Sequence, residues 1–552
     1  MNDTSLTRLQ LYKTPLILIL LSASCWFGLL GYRDLIDPDE GRYAEVAREM
    51  LATGDWVTPR LNGYKFFDKP PLQYWGSAIG MALFGETNMA ARLWCAGTGF
   101  FAALWMWFVA YRLYGSYAGR YTFLILVSSF LYFGIGHANI LDMSVSAFLT
   151  FTMGAFALAQ AERQTPKKSE QWMLLSWAGL AAAVLSKGLI GIVFPGAAIV
   201  LYSLWQRDWL LWKNLCLIKG LSLFLLLVMP WFILVSQANE QFLHYFFIHE
   251  HFERFTSDVH YRNQPWWYFA VVVTAGFLPW ISNILSAIFK PEFLWRVIHK
   301  GKFEASRLFW VYAVFIFLFF SLSHSKLVPY IVPIFPFLAI LAGEKLAKHQ
   351  QSLRTIISTL LLAIIVAIVA WKITEAAKPN KPIDIFLDFR PWLIAASLSL
   401  FIASATAFFY RKKQELAFSI IAIGAILAFN FGASGYQSHS VIRSAHQMAD
   451  TIKLYSNNKS SPIYSLRRID YSLIYYLQRT ITVVEYQGNM QFGISREPKD
   501  WIATEAEFLP IWQQSNNAIT IMDHKNYQAW LAQEIPMQVI YKDPRRYVVA
   551  RR

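Results

Sequence analysis

Long apolar blocks constrain this chain more than any other feature. About thirteen runs of roughly 16–24 residues are each long enough to cross ~30 Å of hydrocarbon. They lie near residues 15–31, 88–110, 118–136, 141–161, 172–186, 188–205, 217–236, 266–289, 308–322, 327–346, 354–373, 391–410 and 415–433. A bilayer, not a set of separate soluble cores, must receive most of these residues. Composition agrees, with only 15% charged residues and 56% hydrophobic ones, where an ordinary soluble domain is about a quarter charged. The expectation is a polytopic α-helical membrane protein with about thirteen transmembrane helices. The first run follows Arg8 and Lys13 and is not followed by a small-x-small cleavage site, so it reads as a retained span and not as a signal peptide.

The net charge is +15, but the basic residues sit in short clusters between apolar runs. That pattern suits orientation in the membrane and contact with anionic headgroups, not nucleic-acid binding. With the N-terminus in the cytoplasm, one set of loops collects Arg112 and Arg120, then Arg163, Lys167 and Lys168, and later Lys345, Lys348 and Arg354, and Arg411 to Lys413. The opposite short loops are poor in basic residues. This orientation places residues 32–87, 237–265 and everything beyond ~437 outside the cytoplasm. The organisation expected is a membrane domain over 1–436, with two long periplasmic loops at 32–87 and 237–265, and a small soluble α/β domain over 437–552. In the first loop an amphipathic helix is expected over Gly41–Thr53 and a second one from Pro71. Both long loops are aromatic enough to lie in the membrane interface. In the soluble domain strands are expected at Thr480–Tyr486, Ala518–Met522, Gln538–Tyr541 and Arg546–Ala550, with a helix at Asp470–Leu477. The three cysteines, Cys25, Cys95 and Cys216, lie in or beside apolar runs without CxxC spacing and read as buried small hydrophobes.

Six polar clusters fall on the periplasmic side of this topology. Asp37-Pro38-Asp39-Glu40-Gly41-Arg42-Tyr43 follows the first span. Its acids could simply favour a helix N-terminus, with Arg42 and Glu45 spaced to pair. Asp68-Lys69-Pro70-Pro71 sets an acid and a base beside two stiffening prolines. Asn139 to Asp142 and Ser186-Lys187-Gly188 stand at span ends, where a helix cap and a snorkelling lysine are the plain alternatives. His249-Glu250-His251 with Arg254 lacks the spacing of an HExxH zinc site, although one histidine could join distant carboxylates as a ligand. Ser325-Lys326 to Tyr330 adds a base and a phenol. Together they offer Asp39, Glu40, Asp68 and Asp142 as carboxylates and Lys69, Lys187, Arg254 and Lys326 as cations. All stand at headgroup depth, which suits a phosphate-bearing lipid.

The stretch Pro38-Asp39-Glu40-Gly41-Arg42-Tyr43-Ala44-Glu45 resembles the Asp-Glu motif of the GT-C membrane glycosyltransferases. More narrowly, the chain resembles the 4-amino-4-deoxy-L-arabinose lipid A transferases, relatives of the protein O-mannosyltransferases. Matching pieces include Arg48-Glu49-Met50-Leu51-Ala52, Gly54-Asp55-Trp56, Asp68-Lys69-Pro70, Tyr74-Trp75, Lys187-Gly188, Glu250-His251, Arg254-Phe255 and Tyr330-Ile331. Asp68 departs from the glutamate usual there. The resemblance implies a GT-C fold and transfer of a pentose, 4-amino-4-deoxy-L-arabinose, from undecaprenyl phosphate to a lipid A phosphate at the periplasmic face of the bacterial inner membrane. That modification confers resistance to cationic peptides such as polymyxin. It further implies that Asp39, with Glu40, Arg42 and Tyr43, faces the sugar and acceptor. Lys69, Arg254, Tyr330 and Lys187 would bind the donor phosphate, and Asp68, Asp142 and a histidine, His251 or its neighbour His249, would hold a divalent cation, zinc. The donor is already activated, so no nucleotide cofactor is expected. Two other readings stay open on the residues alone: a polyprenyl-phosphate-dependent transferase acting on a protein or glycan hydroxyl, and a lipid transporter or flippase.

Overall fold

The computed structural model describes residues 3–246, 264–289, 301–456, 461–497 and 499–551, with side chains from residue 15 onward. Among the described residues, eight helices are long and apolar enough to cross a membrane, from Asn88–Tyr114 to Gln414–Arg443. The pair Ser116–Val127 and Phe130–Gly136, bent by 65°, passes the same test together and makes a ninth where the two count as one broken span. The remaining expected runs are helical but short, polar-ended or broken. Residues 15–31 give Pro15–Phe27, and 188–205 give Ile190–Gln206. Residues 172–186 fall within Pro166–Lys187, whose first turns carry Lys167, Lys168 and Glu170. Residues 266–289 divide into Tyr268–Gly276 and Ile281–Ile288. The figure of thirteen counted apolar runs; eight to nine of these runs form spans by length and composition.

The membrane part opens with α1 (Asp3–Phe27) and a loop that leads into α2 (Asp39–Thr53). Acids at the first turn of α2 complement its positive end. The helix stops at Gly54, which takes the left-handed conformation (φ 72°) and returns its N–H to Met50 O at 3.1 Å, the usual geometry of a glycine stop. A two-residue hairpin follows, β1 (Arg60–Leu61) paired with β2 (Tyr64–Lys65). Asn62 and Gly63 at its tip both have positive φ, as a tight hairpin turn demands. Next come α3 (Leu72–Phe84), α4 (Asn88–Tyr114), α5 (Ser116–Val127), α6 (Phe130–Gly136), α7 (Leu141–Ala161), α8 (Pro166–Lys187) and α9 (Ile190–Gln206). Thr87 caps α4 by accepting from Ala90 N at 3.1 Å. The last three long helices are Ser352–Lys372, Ile383–Phe409 and Gln414–Gly435.

The C-terminal part is a six-stranded mixed sheet. Its strands are β3 (Ile463–Leu466), β4 (Thr482–Val484), β5 (Trp501–Ile502), β6 (Ile519–Asp523), β7 (Gln538–Lys542) and β8 (Arg546–Ala550), in the order β5-β4-β3-β6-β8-β7. The β5–β4–β3–β6 pairings are parallel, and β8 lies antiparallel between β6 and β7. The four expected strands and the expected helix, here Tyr471–Leu477, are present. Strands β3 and β5 were not expected.

One expectation about the first loop is corrected. An amphipathic helix resting in the membrane interface should keep a polar face in water, but every residue of α2 from Glu40 to Met50 is buried. The C-terminal part covers it. Val46, Met50, Leu61, Tyr64 and Tyr74 share one apolar cluster with Ile474, Val483 and Ile519. Each fully buried side chain of that size contributes about 1.5–3 kcal/mol. The sheet domain is therefore docked on α2 and the hairpin, not tethered beside them.

Candidate active site

The carboxylates of the 37–40 segment point to three different places. Glu40 turns inward. Its oxygens accept from Arg33 at 2.7 and 3.2 Å, from Arg92 at 2.7 and 3.0 Å, and from the backbone N–H groups of Ile36 and Asn139, each at 3.1 Å. Arg92, 1% exposed, also donates to the carbonyls of Leu30, Arg33 and Asp34. Burial alone would raise the Glu40 pKa, but Arg33 and Arg92 outweigh it and hold the carboxyl well below the ordinary range. Glu40, expected beside Asp39 at the chemistry, is thus saturated with donors and fixes the loop.

Asp39 turns outward. It pairs with Arg42 one helical turn on, yet 51% of its side chain stays exposed. The pairing expected between Arg42 and Glu45 does not form, because Arg42 turns back to Asp39 and Glu45 pairs with Arg48 at 2.7 Å. Asp39 and Glu40 are among the residues that line a cavity of ≈ 670 Å³. Most of its wall is apolar, with Phe130, Phe133, Leu278, Leu362, Leu393 and Phe429.

Arg42 and Tyr43 join this loop to the other motifs. Arg42 donates to the Tyr43 hydroxyl at 3.3 Å, and its guanidinium lies 4.9 Å from that ring. Burial pushes the Tyr43 phenol upward and Arg42 opposes the shift, while Asp39, Asp68 and Asp142 are each near enough to add to it. Three expected site carboxylates, from three separate segments, thus act electrostatically on one phenol. Asp142, in the first turn of α7, is bound to Lys187 at the last turn of α8 at 2.5 Å. The Lys187 ammonium lies 4.8 Å from the Tyr330 ring. Lys69 follows buried Asp68 and donates to its carbonyl at 2.5 Å. Lys326 donates to Ser323 O at 2.6 Å, within its own turn.

Arg254, His249 and His251 lie outside the described residues. The start of their loop does reach the Asp68 segment. Phe242 packs on Phe67 with ring centroids 5.1 Å apart, and the Tyr245 hydroxyl is 3.5 Å from Asp68 Oδ1. Among the described residues, no group of three His, Cys, Asp or Glu side chains is placed to hold a metal ion, and the Asp142 carboxylate is engaged by Lys187.

Several residues at the site were not singled out in the sequence. Arg92 had a signal: an arginine inside an apolar span is costly and needs a partner. Tyr471 and Asn489 had none, being hundreds of residues away. The Tyr471 ring lies 5.8 Å from the Arg42 guanidinium, and Asn489 Nδ2 is 3.5 Å from Asp68 Oδ2.

Comparison with known proteins accords with this geometry. Residues 12–246 match the family model of dolichyl-phosphate-mannose-protein mannosyltransferase, and residues 448–551 match that of the aminoarabinose transferase C-terminal domain. An undecaprenyl phosphate-alpha-4-amino-4-deoxy-L-arabinose arabinosyl transferase of Erwinia tasmaniensis is 32% identical over 391 residues, 68% of either chain. Its counterpart in Edwardsiella ictaluri is 29% identical over 506 residues, 87% of either chain. The crystal structure of ArnT from Cupriavidus metallidurans bound to undecaprenyl phosphate superposes with a TM-score of 0.90 at 30% identity, covering 97% of both chains. The archaeal oligosaccharyltransferase AglB of Archaeoglobus fulgidus shares the fold alone, with a TM-score of 0.53 at 12% identity over 94% of this chain and 69% of its own. In sequence along most of its length, and in fold along nearly all of it, the chain belongs to the undecaprenyl phosphate-alpha-4-amino-4-deoxy-L-arabinose arabinosyl transferases, multi-span membrane glycosyltransferases.

Proposed function

We propose that this protein moves 4-amino-4-deoxy-L-arabinose from undecaprenyl phosphate to a phosphate of lipid A. The observation that carries the reading is the place of Asp39, paired with Arg42, in the wall of a largely apolar cavity. An amphiphile with a phosphate head and a hydrocarbon tail matches both halves of that site. Transfer forms a bond from an acceptor phosphate oxygen to the sugar's anomeric carbon and breaks that carbon's bond to the carrier phosphate oxygen. Negative charge grows on the departing polyprenyl phosphate, and preorganised cations there lower the barrier. Lys69 and Arg254 are assigned to this phosphate, with Tyr330 donating. Lys187, already bound to Asp142, orients that carboxylate and supports the site's charge. An acceptor phosphate is ionised at neutral pH, with its second pKa near ~6. It needs no general base, so Asp39 with Arg42 and Tyr43 serves to orient sugar and acceptor. A divalent cation at Asp68 and Asp142, completed by His249 or His251, belongs to the same reading and would supply positive charge beside the carrier phosphate.

The reading also sets the site in the periplasm. Asp142 begins α7 and Lys187 ends α8, while the opposite ends of these two helices run to Arg163, Lys167 and Lys168. The site and the basic loops thus occupy opposite membrane faces, and basic loops favour the cytoplasm.

Purified protein given the polyprenyl-linked donor tests the acceptor. Lipid A bearing its phosphates should be glycosylated, with a rate that follows acceptor ionisation near pH ~6, and dephosphorylated lipid A should be inert. Glycosylation of dephosphorylated lipid A at the normal rate, or use of a serine-bearing peptide instead, would replace a phosphate acceptor with a hydroxyl one.

A further inference from the structure

We propose that the C-terminal domain is a positioning part of the active site, acting through Asp37, which clamps the Asp39 loop to Ser472. The inference rests on the transferase reading and adds to it a role for Ser472 and the domain that carries it.

Asp37 is the third acid of the 37–40 segment, and it turns toward the C-terminal domain. Its Oδ1 accepts the Ser472 N–H at 2.8 Å, its Oδ2 accepts the Ser472 hydroxyl, and its own N–H donates to Arg443 O at 2.8 Å. The contact is a close one between backbones. A Cβ on Gly41 would lie 2.4 Å from Ser472 N, so the first turn of α2 seats against this helix only with glycine there.

The receiving side is rigid. Ser472 Oγ accepts from Ala445 N at 2.9 Å. The adjacent Asp470 is gripped by Arg468 at 2.8 Å and by Arg546 at 3.3 Å. Arg546, 1% exposed, is itself fixed by Asp543 at 2.6 Å and by the Ser444 carbonyl at 2.7 Å. The rest of the loop is held from the same side. Leu35 N–H donates to the Tyr476 hydroxyl at 2.8 Å, and Asp34 takes Gln437 at 2.9 Å and His446 at 2.8 Å.

From Asp34 to Gly41 the loop is therefore located from above by residues 437–476 and from below by Arg33 and Arg92 through Glu40. Asp39 lies between the two holds, and its half-exposed side chain has Arg42 as its ion-pair partner. Arg42 in turn faces Tyr471, the residue before Ser472. A shift of the Tyr471–Leu477 helix would carry Asp39, with its partner Arg42, away from its place in the cavity wall.

Asp37→Ala, Asp37→Asn and Ser472→Ala in the full-length protein test the clamp. Burial and neighbouring Asp470 raise the Asp37 carboxyl above the usual range, against the Ser472 bonds and Arg546, so an uncharged amide of the same shape is a fair replacement. A misplacement of about 1 Å costs on the order of 100-fold, so Asp37→Ala should lose ~10–100-fold in kcat, with donor KM changed less than about threefold. Asp37→Asn should restore most of the kcat. Ser472→Ala, which keeps the N–H, should lose less, and the double variant Asp37→Ala/Ser472→Ala should be no worse than Asp37→Ala. Amide exchange over residues 33–43 should quicken in Asp37→Ala at an unchanged melting midpoint. Wild-type kcat in Asp37→Ala, a rise confined to donor KM, or unchanged exchange would overturn the clamp. If Asp37→Ala does not fold, Ser472→Ala decides by the same two readouts, and wild-type values in both overturn it. If the wild-type protein transfers no sugar, the transferase reading fails, and the exchange result alone judges the clamp.

Discussion

Glu40→Gln is expected to destabilise the protein by about 3–5 kcal/mol, the usual result of removing one partner from a buried ionic cluster. Glu40 is the carboxylate bound to both Arg33 and the fully buried Arg92. The amide keeps the shape but not the charge, and it presents two N–H groups where six N–H donors converge. Two guanidiniums would then share a site with no anion. The wild-type contribution has a defined pH dependence. The folded pKa lies below the unfolded one, so the stabilisation is fully present above the ordinary Glu value of ~4.3 and is lost as pH falls through the folded value. Thermal unfolding in detergent, followed by tryptophan fluorescence, should show a lowered midpoint for Glu40→Gln at neutral pH. The gap to wild type should narrow only in strong acid. An unchanged midpoint at neutral pH would show that the cluster does not hold the loop.

Lys69→Ala should act on the reaction and not on the fold. Lys69 is half-buried beside Asp68, in a segment braced by two prolines. Its proposed partner is a phosphate whose charge increases as the carrier departs. A charge-assisted bond of this kind contributes about 1.5–3 kcal/mol, or about ten- to hundredfold in kcat/KM. Because the bond strengthens in the transition state, much of the loss should fall in kcat. Steady-state kinetics with the polyprenyl-linked donor would measure it. Wild-type kinetics in this variant would move the carrier phosphate away from the Asp68-Lys69-Pro70 segment.

The sequence read best where the signal is local. Apolar runs found the long helices because a bilayer demands unbroken ones. Run length could not show that Pro166–Lys187 carries polar first turns or that 266–289 is broken at Phe277–Trp280. Strand β3 escaped notice because it is four residues long and buried throughout, so it lacks the alternation that marks a half-exposed strand. At the candidate site, residue types and a family motif nominate Asp39, Asp68, Asp142, Lys187 and Tyr330. They could not divide the labour within Asp37-Pro38-Asp39-Glu40. That division depends on Arg92, 52 residues from Glu40, and on Ser472, 435 residues from Asp37. The burial of α2 was hidden for the same reason, since its cover comes from the far end of the chain.

The reaction proposed for this chain is the addition of a cationic pentose to a lipid A phosphate. Mass spectrometry of lipid A tests it most directly, comparing cells that make this protein with cells that lack it and cells that make Asp39→Asn. Lipid A heavier by one aminopentose on a phosphate is expected in the first population, and unmodified lipid A in the other two. Identical lipid A in all three, or a sugar attached at a hydroxyl, would contradict it.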